Sequence, residues 1–434
     1  MGSIVRDNLE DAQKLVVSSL DSLSPELHEI NKAIHSHPET CYQEFFAHDT
    51  ITAYLEKKDF KVRRQTYGLD TSFEAQIGEG GRQVVFCTEY DALPGIGHAC
   101  GHNLIATASI GAFLATCHAF KELDIPGRVR ILGTPAEEGG GGKAKLIDAG
   151  AFNPPEDVAA AIMAHPASSK GNLSGGGDNE GLAGMKLIAA HKFKVEFEGE
   201  TAHAAAEPWN GVNALDASVA AYNNIAMLRQ QIRPDERIHA IIEQGGLSQN
   251  VIADYARMSF NVRAPTIKRA DVLLARVKHC IEAGGLAAGC KLTWTWQVTI
   301  ARACLVMILT TLFRLPTSMN LRTNHTLCQT YVNDMASMGV KVALNAPEPI
   351  PGSTDMGNVS HYVPSFHGAF TIPDSSNTVI HNPKFTAVSG SDRGHTAAVK
   401  CAKGIAMLAL RVLTDDTIAN KAREDFEKPD VEDL

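Results

Sequence analysis

The chain has 434 residues, which at about 150 residues per domain predicts two or three domains with room for a sizeable core. Hydrophobic residues at 44% and charged residues at 21% are the proportions of a soluble globular protein, so disorder is excluded as the main state. The formal charge of -9 leaves no basic field to neutralise a phosphate backbone, and nucleic acid is excluded as a partner.

Nine cysteines, an odd number with no C-x-x-C pair, read as reduced thiols with room for one ligand among them. The opening residues, MGSIVRDNLEDAQKL, meet charges before any apolar leader could form. The most apolar run, 303–313, is far short of the roughly 20 residues that cross a bilayer. The expectation is a cytoplasmic protein with no membrane partner.

In chain order, an amphipathic helical pattern covers 25–57, and the run VVFCTEYDAL at 84–93 has buried-strand character. A helix at 104–120, a strand at 128–135, a helix at 143–149 and a strand at 158–166 continue the alternation. That rhythm predicts a largely parallel sheet covered on both faces. From about Lys186 the texture changes, because HKFKVEFEG alternates apolar and charged residues as a strand with one wet face does. A helix near 212–225, strands at 237–244 and 256–264, a helix at 270–286 and a strand at 291–296 complete a βαββαβ pattern, the ferredoxin-like two-layer arrangement. The earlier style returns with a helix at 327–338, a strand at 368–373 and a helix at 396–413. One domain inserted into another is expected: 1–186 and 301–434 as the outer domain, 187–300 as the insert.

Three segments at the ends of expected strands carry chemistry, where open α/β sheets place their ligands. In GHACGHN, Cys100 and His102 are two residues apart, with Gly101 allowing a bend between a thiolate and an imidazole. Taken alone, the pair also reads as an ordinary buried Cys beside a solvated His. In PAEEGGGGK, Glu137 and Glu138 follow a strand. Favourable charge at a helix N-terminus is the competing reading. A phosphate loop is excluded, because Glu137 and Ala144 stand where that motif needs Gly and Ser or Thr. In AHP, His165 ends a buried strand, where a hydrogen-bonded core histidine is the alternative. Taken together, one Cys, two His and two Glu converging on one sheet edge supply what metal-assisted hydrolysis needs. Such a site requires several ligands and an unligated carboxylate to take a proton from water.

These segments, with HSHPETCYQE at 35–44, GETAHAAAEPWNGVNALDA, SQNVIADY, GSTDMGNVS and HNPKF, resemble the M20 metallopeptidase superfamily, in its amidohydrolase and N-acyl-amino-acid hydrolase branch. The resemblance covers nearly the whole chain. It implies a mixed-sheet zinc-peptidase-like catalytic domain with an inserted lid and dimerisation domain, acting as a homodimer. It implies two divalent ions held by Cys100, His102, Glu138, His165 and His381, with Cys100 bridging; a thiolate ligand leans towards zinc, with manganese or cobalt as alternatives. Glu137 would be the general base. His203 would be a lid residue stabilising the oxyanion across subunits, and Asn250 and Arg263 would contact substrate, Arg263 as a partner for a carboxylate. Asn103 stands where many relatives have Asp.

The implied activity is hydrolysis of the amide bond of a small dipeptide or N-acyl amino acid, and a dipeptide with a basic C-terminal residue, of β-alanyl-lysine type, fits members of this group. An aminoacylase, a carbamoyl-type amidase or a catalytically silent binding protein with the same core are the alternatives. The stretch 298–319, with no Asp, Glu or Lys, is foreign to the family's usual passage from the insert back to the outer domain. A retained intron or gene-model error is expected there, with a genuine hydrophobic excursion packed on the hinge as the alternative.

Overall fold

The computed structural model describes residues 2–428 other than 172, 297–317, 347 and 376–377. The amphipathic pattern at 25–57 resolves into two helices, α1 (Gly2–Ser36) and α2 (Phe45–Lys57). Pro38 stands between them, and proline disfavours the helical conformation in the residue before it. Then come β1 (Val62–Arg64), β2 (Phe73–Ile77), β3 (Gln83–Thr88), α3 (His102–Glu122), β4 (Arg128–Gly133), the irregular turn α4 (Glu137–Gly140), α5 (Gly142–Asp148), β5 (Val158–Ser168) and β6 (Gly181–Gly184). The insert contributes β7 (Ala189–Glu198), α6 (Ala214–Leu228), β8 (Arg237–Gln244), β9 (Tyr255–Ala264), α7 (Ile267–Ala288) and β10 (Lys291–Trp296). The chain returns through α8 (His325–Ser337), β11 (Ala343–Asn345), α9 (Met356–Ser360), β12 (Ser365–Ile372), α10 (Pro383–Ser389), α11 (Asp392–Thr414) and α12 (Asp416–Glu427).

Two compact units result, one from residues up to Lys186 together with those from Leu321, the other spanning Leu187–Asn320. Of the residues past the expected return at 301, the described Ser318–Asn320 group with the insert. Ser318 exchanges both backbone hydrogen bonds with Ala190, and Asn320 Oδ1 accepts from Ile267 N at 3.1 Å. Of the stretch 298–319, all but Ser318 and Met319 lies outside the described residues.

The first unit holds an eight-stranded sheet in the order β1-β2-β4-β3-β5-β12-β6-β11. Its centre is parallel, β4 with β3, β3 with β5 and β5 with β12, so these four strands end on the same edge. β2 joins β4, and β6 joins β12, in antiparallel fashion, which makes the sheet mixed. Strand β3 is buried at every position, as a strand covered on both faces must be. Helix α3 is buried along most of its length and packs with α1 and α11. It is the one described helix long and apolar enough to cross a membrane, and 89% of its apolar window is buried inside the protein.

The second unit is an antiparallel sheet in the order β10-β7-β9-β8 with α6 and α7 on one face. Along β9, buried and half-buried residues alternate without a break. Phe193 and Val195 sit beside Phe260 and Met258 on the neighbouring strand, and with Phe197, Val262 and the helical Ile225 and Val277 they form its core. The period-2 pattern in the sequence is this single wet face.

Candidate metal centre

The parallel strands β3, β4, β5 and β12 deliver the candidate residues to one edge. Glu89 and Asp91 follow β3, Glu137 and Glu138 follow β4, His165 lies near the end of β5, and His381 lies in the loop after β12. Cys100 is in the segment leading into α3, and His102 is the first residue of that helix. Gly101 between them has φ +88°, and a Cβ there would lie 2.6 Å from Pro166 Cγ, so only glycine fits. His381 also has a positive φ, +63°, and its backbone N–H donates to Ala99 O at 2.8 Å, tying the β12 loop to the Cys100 segment.

Cys100 Sγ lies 3.3 Å from His165 Nε2, and His381 Nε2 lies 3.2 Å from Glu138 Oε1. His102 Nε2 is 4.0 Å from both Glu137 Oε2 and Glu138 Oε1. The donor atoms of Cys100, His102 and His165 lie within 4.8 Å of one another, as do those of Cys100, Glu138 and His381, and of His102, Glu137 and Glu138. Two of these triads share Cys100. The six residues expected to form the centre are thus brought together.

The residues present fit a metal. Among the described residues His102 Nε2 is buried without a hydrogen-bond partner, a costly arrangement that a cation between it and Glu138 Oε1, 4.0 Å away, removes. The remaining nitrogens are used to orient the rings. His102 Nδ1 bonds Asp91 Oδ1 at 2.9 Å, and His165 Nδ1 bonds Pro166 O at 2.7 Å, which turns each Nε2 into the site. Burial, with the charge of His102, holds His165 down to about 4, so its imidazole is neutral and ready to ligate at neutral pH. Burial raises Cys100 well above its ordinary range, with Glu138 adding to the rise. A dication at the thiol acts in the opposite direction.

Glu137 and Glu138 separate electrostatically. Burial, reinforced by Glu138 and Glu89, pushes Glu137 well above the carboxylate range. Burial works the same way on Glu138, but the hydrogen bond from His381 and the charge of His102 overcome it and hold Glu138 down to about 2. One carboxylate prefers a proton and its neighbour prefers to stay charged, the division expected of a base and a ligand.

Sequence reasoning did not assign the buried carboxylates that suspend the loop carrying this pair. Glu44 Oε1 accepts from Ala136 N at 2.9 Å, Asp91 Oδ2 from Glu138 N at 2.9 Å, and Asp355 Oδ2 from Lys143 N at 2.8 Å. Asp91 and Asp355 stood in quoted motifs, but their partners are 47 and 212 residues away in sequence. Asn103 uses its amide to donate to Asn31 Oδ1 at 2.7 Å and Ser389 O at 2.9 Å, which an Asp could not do. The carboxylate at His102 is Asp91.

His203, Asn250 and Arg263 belong to the second unit. His203 and Asn250 are both exposed and lie on neighbouring loops: Ala204 N donates to Asn250 O at 3.0 Å, and His203 bridges to Val251. His203 Nδ1 accepts from Ala205 N at 3.2 Å and Ala206 N at 3.1 Å, which leaves Nε2 as the outward nitrogen. Arg263 is half-buried on β9, and burial lowers its pKa.

The chain matches the model of peptidase family M20/M25/M40 over residues 85–404. It is 35% identical over 435 residues to a Xaa-Arg dipeptidase of Mus musculus, covering 96% of this chain and 93% of that protein. A Xaa-Arg dipeptidase of Homo sapiens is also 35% identical, with 97% and 93% covered. Among solved structures, a Bacillus subtilis protein described as a dinuclear metal binding peptidase from the M20 family superposes with a TM-score of 0.63 at 23% identity, covering 91% of this chain and 99% of that one. An aminobenzoyl-glutamate utilization protein from Klebsiella pneumoniae gives 0.68 at 17% identity over 92% and 99%. With its candidate ligands gathered at the parallel sheet edge and a family match across most of its length, the chain belongs to the M20 family of metallopeptidases.

Proposed function

We propose that the protein is a two-metal dipeptidase that removes a basic C-terminal residue from a small dipeptide. The observation that carries the two-metal reading is the pair of donor triads sharing Cys100, one completed by His102 and His165, the other by Glu138 and His381. The near full-length relatives named Xaa-Arg dipeptidase support the substrate class. Two divalent ions supply the positive charge that acidifies water and polarises an amide carbonyl. Zinc is favoured by the thiolate and imidazole donors.

Glu137 is the residue free to move protons. It takes the proton of the attacking water on a carboxylate oxygen and returns it to the leaving amine nitrogen, a role its burial-raised affinity for protons suits. Glu138 stays charged and holds its place through His381 and the Asp91 contact to its backbone. Asp91 keeps His102 in the tautomer that points Nε2 into the site.

A homodimer through the inserted unit fits its surface. β8 is an edge strand whose Ile241 and Ile242 are 50% and 41% exposed, and α6 exposes Val219 and Tyr222. In such a dimer His203 would serve as the oxyanion donor of the other subunit, and Asn250 and Arg263 would meet substrate. A reducing, cytoplasmic location agrees with eight free cysteines among the described residues. Thiol counting on natively isolated protein checks it, since a disulfide there would contradict it.

The test is the pair Glu137→Gln and Glu138→Gln, assayed on a panel of Xaa-Arg, Xaa-Lys and N-acyl amino acid substrates with metal content measured in parallel. Glu137→Gln should lose roughly 10²-fold or more in kcat while keeping its ions, and Glu138→Gln should lose metal affinity. Exchanged phenotypes would reverse the assignment. Wild-type preference for N-acyl amino acids would replace the dipeptidase reading with an aminoacylase.

A further inference from the structure

Lys143 is fully buried, and its ammonium is shared between two buried carboxylates. Its Nζ donates to Glu89 Oε1 and, at 2.7 Å, to Asp355 Oδ1, while its backbone N–H donates to Asp355 Oδ2 at 2.8 Å. Glu89 and Asp355 are 1% and 2% exposed. One ammonium therefore faces two buried carboxyl groups, an arrangement that further positive charge beside them stabilises.

The oxygen open to it can be identified. Glu89 Oε1 is pinned by Lys143, so the direction of Oε2 is set. Oε2 has no hydrogen-bond partner and lies 3.5 Å from His102 Nε2, which has none either. Both side chains are almost wholly buried, at 1% and 0% exposure. A proton on Nε2 could join them while the metal is absent. An ion on that nitrogen would lie beside Oε2, which has no hydrogen-bond partner among the described residues. The spacing agrees: metal bonds of about 2.1 Å at a tetrahedral angle separate two donor atoms by about 3.4 Å.

Building on the two-ion reading above, we propose that Glu89 is a sixth side chain of the metal centre. Its free Oε2 turns to the ion that His102 holds, and Lys143 is the positioning residue that aims it. The chain so provides three carboxylates within 4.0 Å of His102 Nε2, those of Glu89, Glu137 and Glu138. Lys143 immediately follows the glycines of that turn, so the residue that holds Glu89 is joined in sequence to the Glu137–Glu138 pair.

The experiment compares metal-loaded wild type with Glu89→Gln, Glu89→Asp and Lys143→Met. Ions are counted by elemental analysis, affinity is measured by competition with a chromophoric chelator, and visible absorption is recorded on the cobalt-substituted proteins. Glu89→Gln should weaken one of the two ions by about 10- to 100-fold and shift the cobalt bands, and Lys143→Met should follow it. Glu89→Asp keeps the charge against Lys143 and so protects folding, but it withdraws the oxygen by one methylene. It should show the same band shift with a smaller loss of affinity. Two ions at wild-type affinity with unchanged bands in Glu89→Gln, or in Glu89→Asp if Glu89→Gln does not fold, overturn the inference alone. Fewer than two ions in wild type overturn the two-ion reading and this inference with it. Wild-type metal affinity in Lys143→Met, beside a weakened Glu89→Gln, removes the positioning role of Lys143.

Discussion

Replacing Gly101 by Ala tests whether the spacing of Cys100 and His102 rests on one backbone position. With φ at +88°, a side chain there meets the left-handed penalty of about 1–2 kcal/mol. The added Cβ would also lie 2.6 Å from Pro166 Cγ and 3.3 Å from Phe385 Cε1, and overpacking of that kind costs about 1–3 kcal/mol more. Gly95 is the control. Its φ is +76° with nothing within 4 Å of a built Cβ, so Gly95→Ala should lose only the conformational part. Urea unfolding of Gly101→Ala, Gly95→Ala, Pro166→Ala and the Gly101→Ala/Pro166→Ala double variant separates the two contributions. Removing the proline ring should restore at least about 1 kcal/mol to the Gly101 variant, a coupling that independent sites do not show. The carbonyl that orients His165 is untouched by that change. If Gly101→Ala is no less stable than Gly95→Ala, or if Pro166→Ala gives no relief, the close approach does not constrain the site.

Three further outcomes are expected. Burial, with the charge of Asp91, lifts Glu44 to about 8. A raised folded value means that its contribution is complete below the unfolded value near 4.5 and is withdrawn as pH rises through 8. Between pH 5 and 8 wild type should therefore lose up to about 1.4 kcal/mol per pH unit relative to Glu44→Gln, and parallel urea midpoints of the two proteins across that range would refute this. Mixing His203→Ala with Glu137→Gln protein should restore some activity if His203 acts across subunits. No recovery in verified heterodimers would confine it to its own chain or remove it from catalysis. Sequencing the transcript across 298–319 should show that these residues are not encoded in the mature message; a message carrying them, with a soluble active product, would defeat the expectation.

Much of the architecture was legible because two periodicities differ. The all-apolar runs of β3 and β5 mark strands covered on both sides, and the strict alternation of β7 and β9 marks strands covered on one. Short strands were not legible. β6 is four residues and β11 three, too short for any period to register, and both are defined by neighbours distant in sequence. The ligand candidates were legible as motifs because Cys100, His102, Glu137 and Glu138 sit in short segments of unusual composition. Glu89, Lys143 and Asp355 were not, because a buried ion pair becomes visible only when β3, the glycine turn and the start of α9 are brought together. Nothing local distinguishes Lys143 from a solvated lysine at a helix start.

The position of α3 carries one more consequence. A helix beginning at His102 places its N-terminal end, equivalent to about half a positive charge, beside the candidate ligands. That end attracts anions, and Glu89, Asp91 and Glu138 lie near His102, with Lys143 bonded to Glu89. Repulsion among those carboxylates is thereby moderated in the empty state by fixed features of the scaffold. Unlike a zinc finger, whose fold depends on its ion, this protein should keep its pocket assembled after chelation and recover when the ion is returned, without passing through an unfolded chain.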